Sequence, residues 1–170
     1  MSRRLLIALL VVLAAAAAGR ELLGGNGDGG RTGDGADGEG RVVKVVDGDT
    51  IHVIVGGRRE KVRYIGVDTP ETKHPTKGLQ CYGTAAAAFN ERLVGGERVR
   101  LERDVEERDR YGRLLAYVYR QRDGLFVNAE LARRGYAQPL TIPPDVRHAE
   151  RFVALAREAR TGGHGLWAAC

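Results

Sequence analysis

From residue 41 onward the chain switches between two hydrophobic rhythms, and each predicts a different element. Arg41–Val46 is short and β-branched, and Thr50–Val55 alternates apolar with polar positions, so both read as strands. The intervening Asp47, Gly48 and Asp49 signal a turn. Gly56 and Gly57 predict a two-residue hairpin, because primed turns need the positive φ that glycine tolerates, and Lys61–Val67 is the return strand. A loop rich in Thr, Pro and Lys follows, from Asp68 to Gly78. Ala85–Val94 carries Phe89 and Leu93 one turn apart, a helix that Gly95 and Gly96 terminate. Arg98–Glu102 and Leu114–Tyr119 read as two more strands around a charged loop. Asn128 is the expected N-cap of a short helix, Ala129–Arg134, with Gly135 at its C-terminal end. Pro143, Pro144 and Asp145 are expected to start the last helix, where Val146, Ala149, Phe152, Val153 and Ala156 fall on one stripe before Gly162 and Gly163. Five strands and three helices in this order predict a mainly β, α+β domain: a small barrel with helices packed on it.

The first forty residues follow neither rhythm. Two arginines lie in Met1–Arg4, and Leu5–Gly19 is an uncharged apolar run of fifteen residues, shorter than the roughly 20 a spanning helix needs. A basic start, an apolar middle and the small residues Ala16, Ala17 and Ala18 predict an export signal over residues 1–23, either cleaved or retained as an N-terminal membrane anchor. Both outcomes place the folded part outside the cytoplasm. Gly24–Gly40 holds nine glycines in 17 residues, interleaved with Asp, Asn, Thr and Glu, and reads as a flexible linker. Residues 41–170 remain as one domain, long enough for an independent core.

Composition adds a partner class. The 170-residue chain is 43% hydrophobic and 29% charged, with a formal net charge of +5. Those figures exclude a disulfide-dense miniprotein, a multipass membrane protein and a collagen-like chain. Setting aside the first forty residues removes four basic and five acidic side chains, so the domain carries 23 against 17, a net of +6. The excess is mostly arginine, which is suited to phosphate.

Three polar clusters interrupt the predicted elements. Taken singly, Asp47–Thr50 is a turn, Asp68–Glu71 a turn with a helix-capping pattern, and Asp109–Arg113 a solvated hairpin tip. Together they say more. Asp49 and Asp68 each sit at the end of a predicted strand, and converging carboxylates repel unless a cation lies between them. Oxygen-only ligands suit a hard divalent ion, Ca²⁺ in particular, although the spacing is not that of an EF-hand. Arg63 lies on the strand leading to Asp68, and arginines beside a carboxylate-held cation are the expected parts for binding a phosphodiester and its transition state.

The segments 45–50 (Val-Val-Asp-Gly-Asp-Thr), 67–75 (Val-Asp-Thr-Pro-Glu-Thr-Lys-His-Pro) and 109–117 (Asp-Arg-Tyr-Gly-Arg-Leu-Leu-Ala-Tyr) resemble the thermonuclease family, the staphylococcal-type nucleases. The resemblance runs from about Arg41 to Trp167. It implies an OB-fold five-stranded β-barrel with three α-helices, and calcium-dependent hydrolysis of DNA and RNA that leaves 3′-phosphate ends. By position it makes Asp49, Asp68 and the Thr69 carbonyl the Ca²⁺ ligands. Glu71 orients or deprotonates the attacking water, and Arg63 and Arg113 bind phosphate. Arg110, Tyr111 and Lys77 match substrate-binding positions. Thr141 and Pro143 depart from the family's best-known member, which has tyrosines there near the nucleotide base, so nucleotide affinity is expected to differ. A non-catalytic nucleic-acid-binding OB module is the rival reading, and the intact set Asp49, Asp68, Glu71, Arg63 and Arg113 counts against it. A phosphodiesterase for small esters is a second rival, disfavoured by the +6 charge, which suits long polyanions.

Other residues receive structural readings. His52, His74, His148 and His164 have no metal-site spacing, and His52 is expected to be exposed. Tyr136 is expected in packing, and Trp167 as a tail anchor against the barrel. Cys81 and Cys170, the only cysteines, read in an exported chain as a disulfide, with two free thiols the alternative. A monomer is expected.

Overall fold

The computed structural model describes residues 38–72 and 80–170. The predicted signal or anchor, the linker up to residue 37, His74 and Lys77 lie outside the described residues. Eleven elements follow in chain order: β1 (Gly38–Val45), β2 (Thr50–Val55), β3 (Arg58–Tyr64), β4 (Val67–Asp68), α1 (Gly83–Val94), β5 (Arg98–Glu102), β6 (Leu114–Arg120), α2 (Val127–Arg133), β7 (Gln138–Pro139), α3 (Ala149–Thr161) and α4 (Leu166–Ala169). Five strands close a barrel in the order β1-β2-β3-β6-β5, while β4 and β7 form a separate two-stranded sheet. All neighbours in the barrel are antiparallel except β3 and β6, whose parallel pairing closes it. This is the mainly β, α+β barrel expected from the sequence.

Alternation decides what faces inward. Val42, Val53, Ile51 and Val62 come from the inner faces of β1–β3 and meet Val99, Leu101, Ala116 and Val118 from β5 and β6. Gly56 and Gly57 adopt φ of 55° and 79°, the left-handed values that a two-residue hairpin demands. The strand starts at Gly38, so Gly38, Glu39 and Gly40, assigned to the linker from sequence, pair with Leu101, Arg100 and Val99 of β5.

Several local expectations change. The predicted return strand, Lys61–Val67, is broken: β3 ends at Tyr64, Gly66 turns at φ 81°, and Val67–Asp68 pairs instead with β7. Asn128 lies inside α2, preceded by Phe126 at the N-cap without a side-chain cap. Its buried amide accepts the Val118 N–H at 2.9 Å and donates to the Ile65 carbonyl at 2.9 Å, so it ties α2 to β6 and to the break after β3. The last helix starts at Ala149, not at Pro143, because the Asp145 carboxylate is committed elsewhere. It accepts the N–H groups of Val105 and Glu106, both at 2.9 Å. Val146 consequently stays outside the helix and exposed, and Val153 is exposed as well; Phe152, Ala156 and Ala159 form the buried stripe. A fourth short helix, α4, ends the chain. Trp167 packs against Gly135 and under Arg160, at the ends of α2 and α3 rather than on the barrel. Cys81 and Cys170 form a disulfide across a sequence separation of 89, joining the C-terminus to the start of α1.

Candidate active site

The site is built where β2, β3 and β4 meet. Asp49 ends the β1–β2 turn with its amide bonded to the Asp47 carboxylate at 3.1 Å. Its side chain is buried, and Oδ2 accepts both the backbone N–H and the hydroxyl of Thr69, at 2.7 and 2.8 Å. Gly48 makes this approach possible: a Cβ there would lie 2.6–2.8 Å from the Thr69 side chain. The other oxygen, Oδ1, accepts from the Thr50 hydroxyl at 3.2 Å and pairs with Arg63 Nη1 at 3.2 Å.

Arg63 is the centre of the arrangement. Strict alternation over an unbroken strand would put Arg63 and Asp68 on opposite faces. The turn at Gly66 folds the chain back so that Arg63 Nη2 reaches Asp68 Oδ1 at 2.7 Å. Nη1 also donates to the carbonyls of Tyr64 and Val67, at 3.0 and 2.8 Å, which holds the break itself. One nearly buried guanidinium therefore bridges two carboxylates, the fork geometry that lysine lacks.

The remaining acids crowd this pair. Burial first, and then the charge of Asp49, push the Asp47 carboxyl up to about 6, against its bonds to the Asp49 amide and Thr50 and the charge of Arg63. The Asp68 side chain keeps 58% of its surface open. Even so, protein atoms displacing water around it, together with the like charges of Asp49 and Glu71, raise its carboxyl above the ordinary range, opposed by Arg63 and Arg113. Glu71 is exposed and its backbone is pinned to Gln80: its carbonyl accepts the Gln80 N–H at 3.0 Å and its N–H donates to Gln80 Oε1 at 2.9 Å.

Arg113 arrives from the loop before β6. Asp109 Oδ2 accepts its Nε–H at 2.6 Å, and Asp109 Oδ1 accepts the amides of Tyr111 and Arg113 at 2.9 and 3.0 Å. Arg110 and Tyr111 stand exposed at the loop tip, with Arg110 donating to the Tyr111 hydroxyl at 2.7 Å. Thr141 and Pro143 lie exposed in the segment between β7 and α3. Tyr136 stacks on Phe89 with centroids 4.1 Å apart, a packing role. His52 lies half-buried on the outer face of β2 rather than fully exposed.

The sequence reading missed three contributors. Asp47 is one, although it sits in the same motif as Asp49. Asp109 holds Arg113 instead of decorating a hairpin. Asn90 is buried in α1, where it accepts the Tyr64 hydroxyl and donates to the Asp47 carbonyl, both at 3.0 Å. A polar residue on the buried stripe of Ala86, Leu93 and Val94 was the available signal.

Among the described residues no cluster of three His, Cys, Asp or Glu side chains would hold a metal alone. The donor chemistry nonetheless fits a hard cation. Two aspartate oxygens converge on one positive group, with the Thr69 carbonyl adjacent in the chain and further carboxylates nearby.

A family model described as staphylococcal nuclease homologue matches residues 61–169. The chain belongs to the staphylococcal nuclease family. Thermonuclease of Staphylococcus hyicus is 39% identical over 127 residues, covering 75% of this chain and 74% of that protein. Thermonuclease of Staphylococcus intermedius is 42% identical over 126 residues, covering 74% of each. Endonuclease YncB of Bacillus subtilis is 40% identical over 126 residues, covering 73% of this chain and 59% of that protein. In this staphylococcal nuclease homologue the matched span starts within β3, at residue 61, and so includes Arg63, Asp68, Thr69, Glu71 and Arg113, while Asp49 precedes it.

Proposed function

We propose that this protein is an exported, calcium-dependent nuclease that hydrolyses phosphodiester bonds of DNA and RNA and leaves 3′-phosphate ends. The observation that carries the reading is the pairing of Asp49 and Asp68 through Arg63 beside Glu71 and Arg113, in a chain whose relatives are named thermonucleases and an endonuclease. Asp49, Asp68 and the Thr69 carbonyl would hold Ca²⁺. When bound, that ion supplies positive charge to a phosphate oxygen and orients a water.

The chain's own residues do the rest. Glu71, solvent-facing on a pinned backbone, takes a proton from or orients the water that adds to phosphorus. The P–O5′ bond breaks with its electron pair going to the 5′ oxygen, which takes up a proton from solvent, and phosphate stays on the 3′ side. Arg113, held by Asp109, stabilises charge that builds on the phosphoryl group, a contribution commonly worth about 3–4 kcal/mol. Arg63 keeps the two aspartates together and adds positive field. Arg110, Tyr111 and Lys77 are assigned to flanking phosphate. The Cys81–Cys170 disulfide supports an oxidising location, in line with export or anchoring through residues 1–23. A monomer suffices, since every assigned group comes from one chain.

The test is digestion of single-stranded DNA with calcium and with chelator. Cleavage is expected only with calcium, and Glu71→Gln is expected to slow it by about 10²–10⁴-fold. Unimpaired cleavage by that variant, or in chelator, overturns the mechanism.

A further inference from the structure

The outer face of β1, β2 and β3 collects the cations that the fold leaves without partners. Cross-strand register places Lys44, His52 and Lys61 in one row, and Arg41, Ile54 and Arg59 in the next. Arg98 of β5 flanks Arg41 at the end of the second row, but it is engaged, donating to Gln121 at 3.1 Å with Glu39 at 3.9 Å. Lys44, Lys61, Arg41, Arg59 and Arg98 are all exposed, while Val42, Val53, Ile51 and Val62 occupy the inner face.

Most arginines elsewhere are engaged. Arg63, Arg108, Arg113, Arg120, Arg133 and Arg147 each pair with a carboxylate, and Arg92, Arg151 and Arg160 lie over aromatic rings. Among the described residues, those left without a hydrogen bond, an ion pair or a ring are Arg41, Lys44, Arg58, Arg59, Lys61 and Arg157. Five of these six lie on β1–β3; Arg157 stands apart on α3. Arginines and lysines gathered without counter-ions repel one another. His52 lies in their midst; burial first, and then the charges of Arg59, Lys61 and Lys44, hold its imidazole below the ordinary range. Beyond Arg41, a surface cleft of about 420 Å³ is lined by Arg98 and Arg122 together with Glu97, which pairs with Arg122 at 3.0 Å, so the set without counter-ions ends at Arg41.

These rows lead to the candidate active site. The row Thr50–Arg63 is two residues along from His52–Lys61 on the same outward face. Each two-residue step is about 7 Å, so the three rows span about 13 Å. Along one strand of a duplex, with a phosphate every 3.4 Å of helix axis, that length holds about four phosphates.

We infer that the outer face of β1–β3 is a track for nucleic-acid backbone, which draws a long strand away from the cutting site and holds it by phosphate contacts alone. The inference rests on the nuclease reading for the identity of the polyanion. No base-edge recognition is needed, so the track is indifferent to sequence.

The experiment uses the full chain and a labelled single-stranded DNA of about 20 nucleotides, long enough to pass the track. Binding is measured in chelator over a range of salt, and cleavage is measured separately with calcium on this strand and on a dinucleotide. Lys44→Gln/Lys61→Gln and Arg41→Gln/Arg59→Gln are compared with Arg157→Gln, which carries the isolated cation. Each double variant is expected to weaken binding roughly tenfold and to flatten the slope of log K against log salt by about 1.4, from 0.7 per phosphate contact. KM for the long strand should rise, while dinucleotide cleavage and the Arg157→Gln variant stay as wild type. Unchanged binding and slope in both doubles overturns the track, as does an equal loss in Arg157→Gln. A protein that binds through the track yet cleaves nothing supports the track and refutes the nuclease. Normal cleavage with an unchanged salt slope does the reverse.

Discussion

Thr69 gives Asp49 two hydrogen bonds on one oxygen: its amide and its hydroxyl both point at Oδ2, at 2.7 and 2.8 Å. The arrangement leaves Oδ1 of Asp49 to meet the Thr50 hydroxyl and Arg63, both at 3.2 Å. Thr69→Val keeps the shape and the amide but removes the hydroxyl donor from a buried carboxylate. A hydrogen bond to a charged group contributes about 1.5–3 kcal/mol. Urea unfolding should show a loss of that size, and the calcium concentration for half-maximal cleavage should rise. A variant as stable and as calcium-sensitive as wild type would remove Thr69 from the site.

Asp109 is a positioning residue for Arg113. Asp109→Asn weakens the 2.6 Å bond to Nε while preserving size. A loss of about 1.5–3 kcal/mol in the transition state corresponds to a fall in kcat of roughly tenfold to a hundredfold. KM should move little, and Asp109→Glu should restore part of the rate. A change confined to thermal stability would make Asp109 a loop staple only.

His148 introduces a pH dependence away from the site. Its ring sits among Tyr117, Phe126 and Phe152, with centroids 4.6, 5.2 and 6.2 Å away. Burial first, with Arg151 and Arg147, lowers its pKa, and Glu102 and Asp104 oppose them. The folded imidazole therefore binds a proton less readily than the unfolded one, whose ordinary value is 6.5. Its contribution to stability is intact above that value and is lost as the pH falls below it, because protonation then favours the unfolded chain. His148→Phe should flatten the decline in melting temperature on acidification from neutrality. Equal declines in both proteins would show that His148 titrates alike in the two states.

The disulfide supplies stability that the short tail lacks. Closing a loop across a separation of 89 residues should contribute about 2–5 kcal/mol. Reduction, or Cys170→Ser, is expected to lower the melting temperature by on the order of 10 °C. Mass spectrometry without reduction should recover a peptide linking Cys81 to Cys170. An unchanged melting temperature on reduction would show that the bridge does not stabilise the fold.

Strands were legible in the sequence wherever period-two patterning and turn chemistry agreed. Thr50–Val55, Gly56–Gly57 and Arg98–Glu102 fall where the alternation put them. Boundaries went astray where a polar side chain found a distant partner. Asp145 resembles a helix start, but its carboxylate serves amides 39 and 40 residues away. Asn128 resembles a cap, but it reaches Ile65, 63 residues back. Nothing local encodes either choice. The site was legible as a set of acids and arginines at strand ends. Its internal geometry was not, because Arg63 reaches Asp68 only through a backbone reversal at Gly66.

That reversal is fixed from the far end of the polypeptide. The Phe152 ring of α3 packs where a Cβ of residue 66 would have to go, the Leu140 N–H donates to the Gly66 carbonyl at 3.0 Å, and β7 pairs with Val67 and Asp68. All six core residues of the proposed site have been translated once Arg113 is made, yet their alignment waits for Gln138, Leu140 and Phe152. A nascent chain therefore carries the side chains of the proposed site unaligned until its last third has emerged and folded.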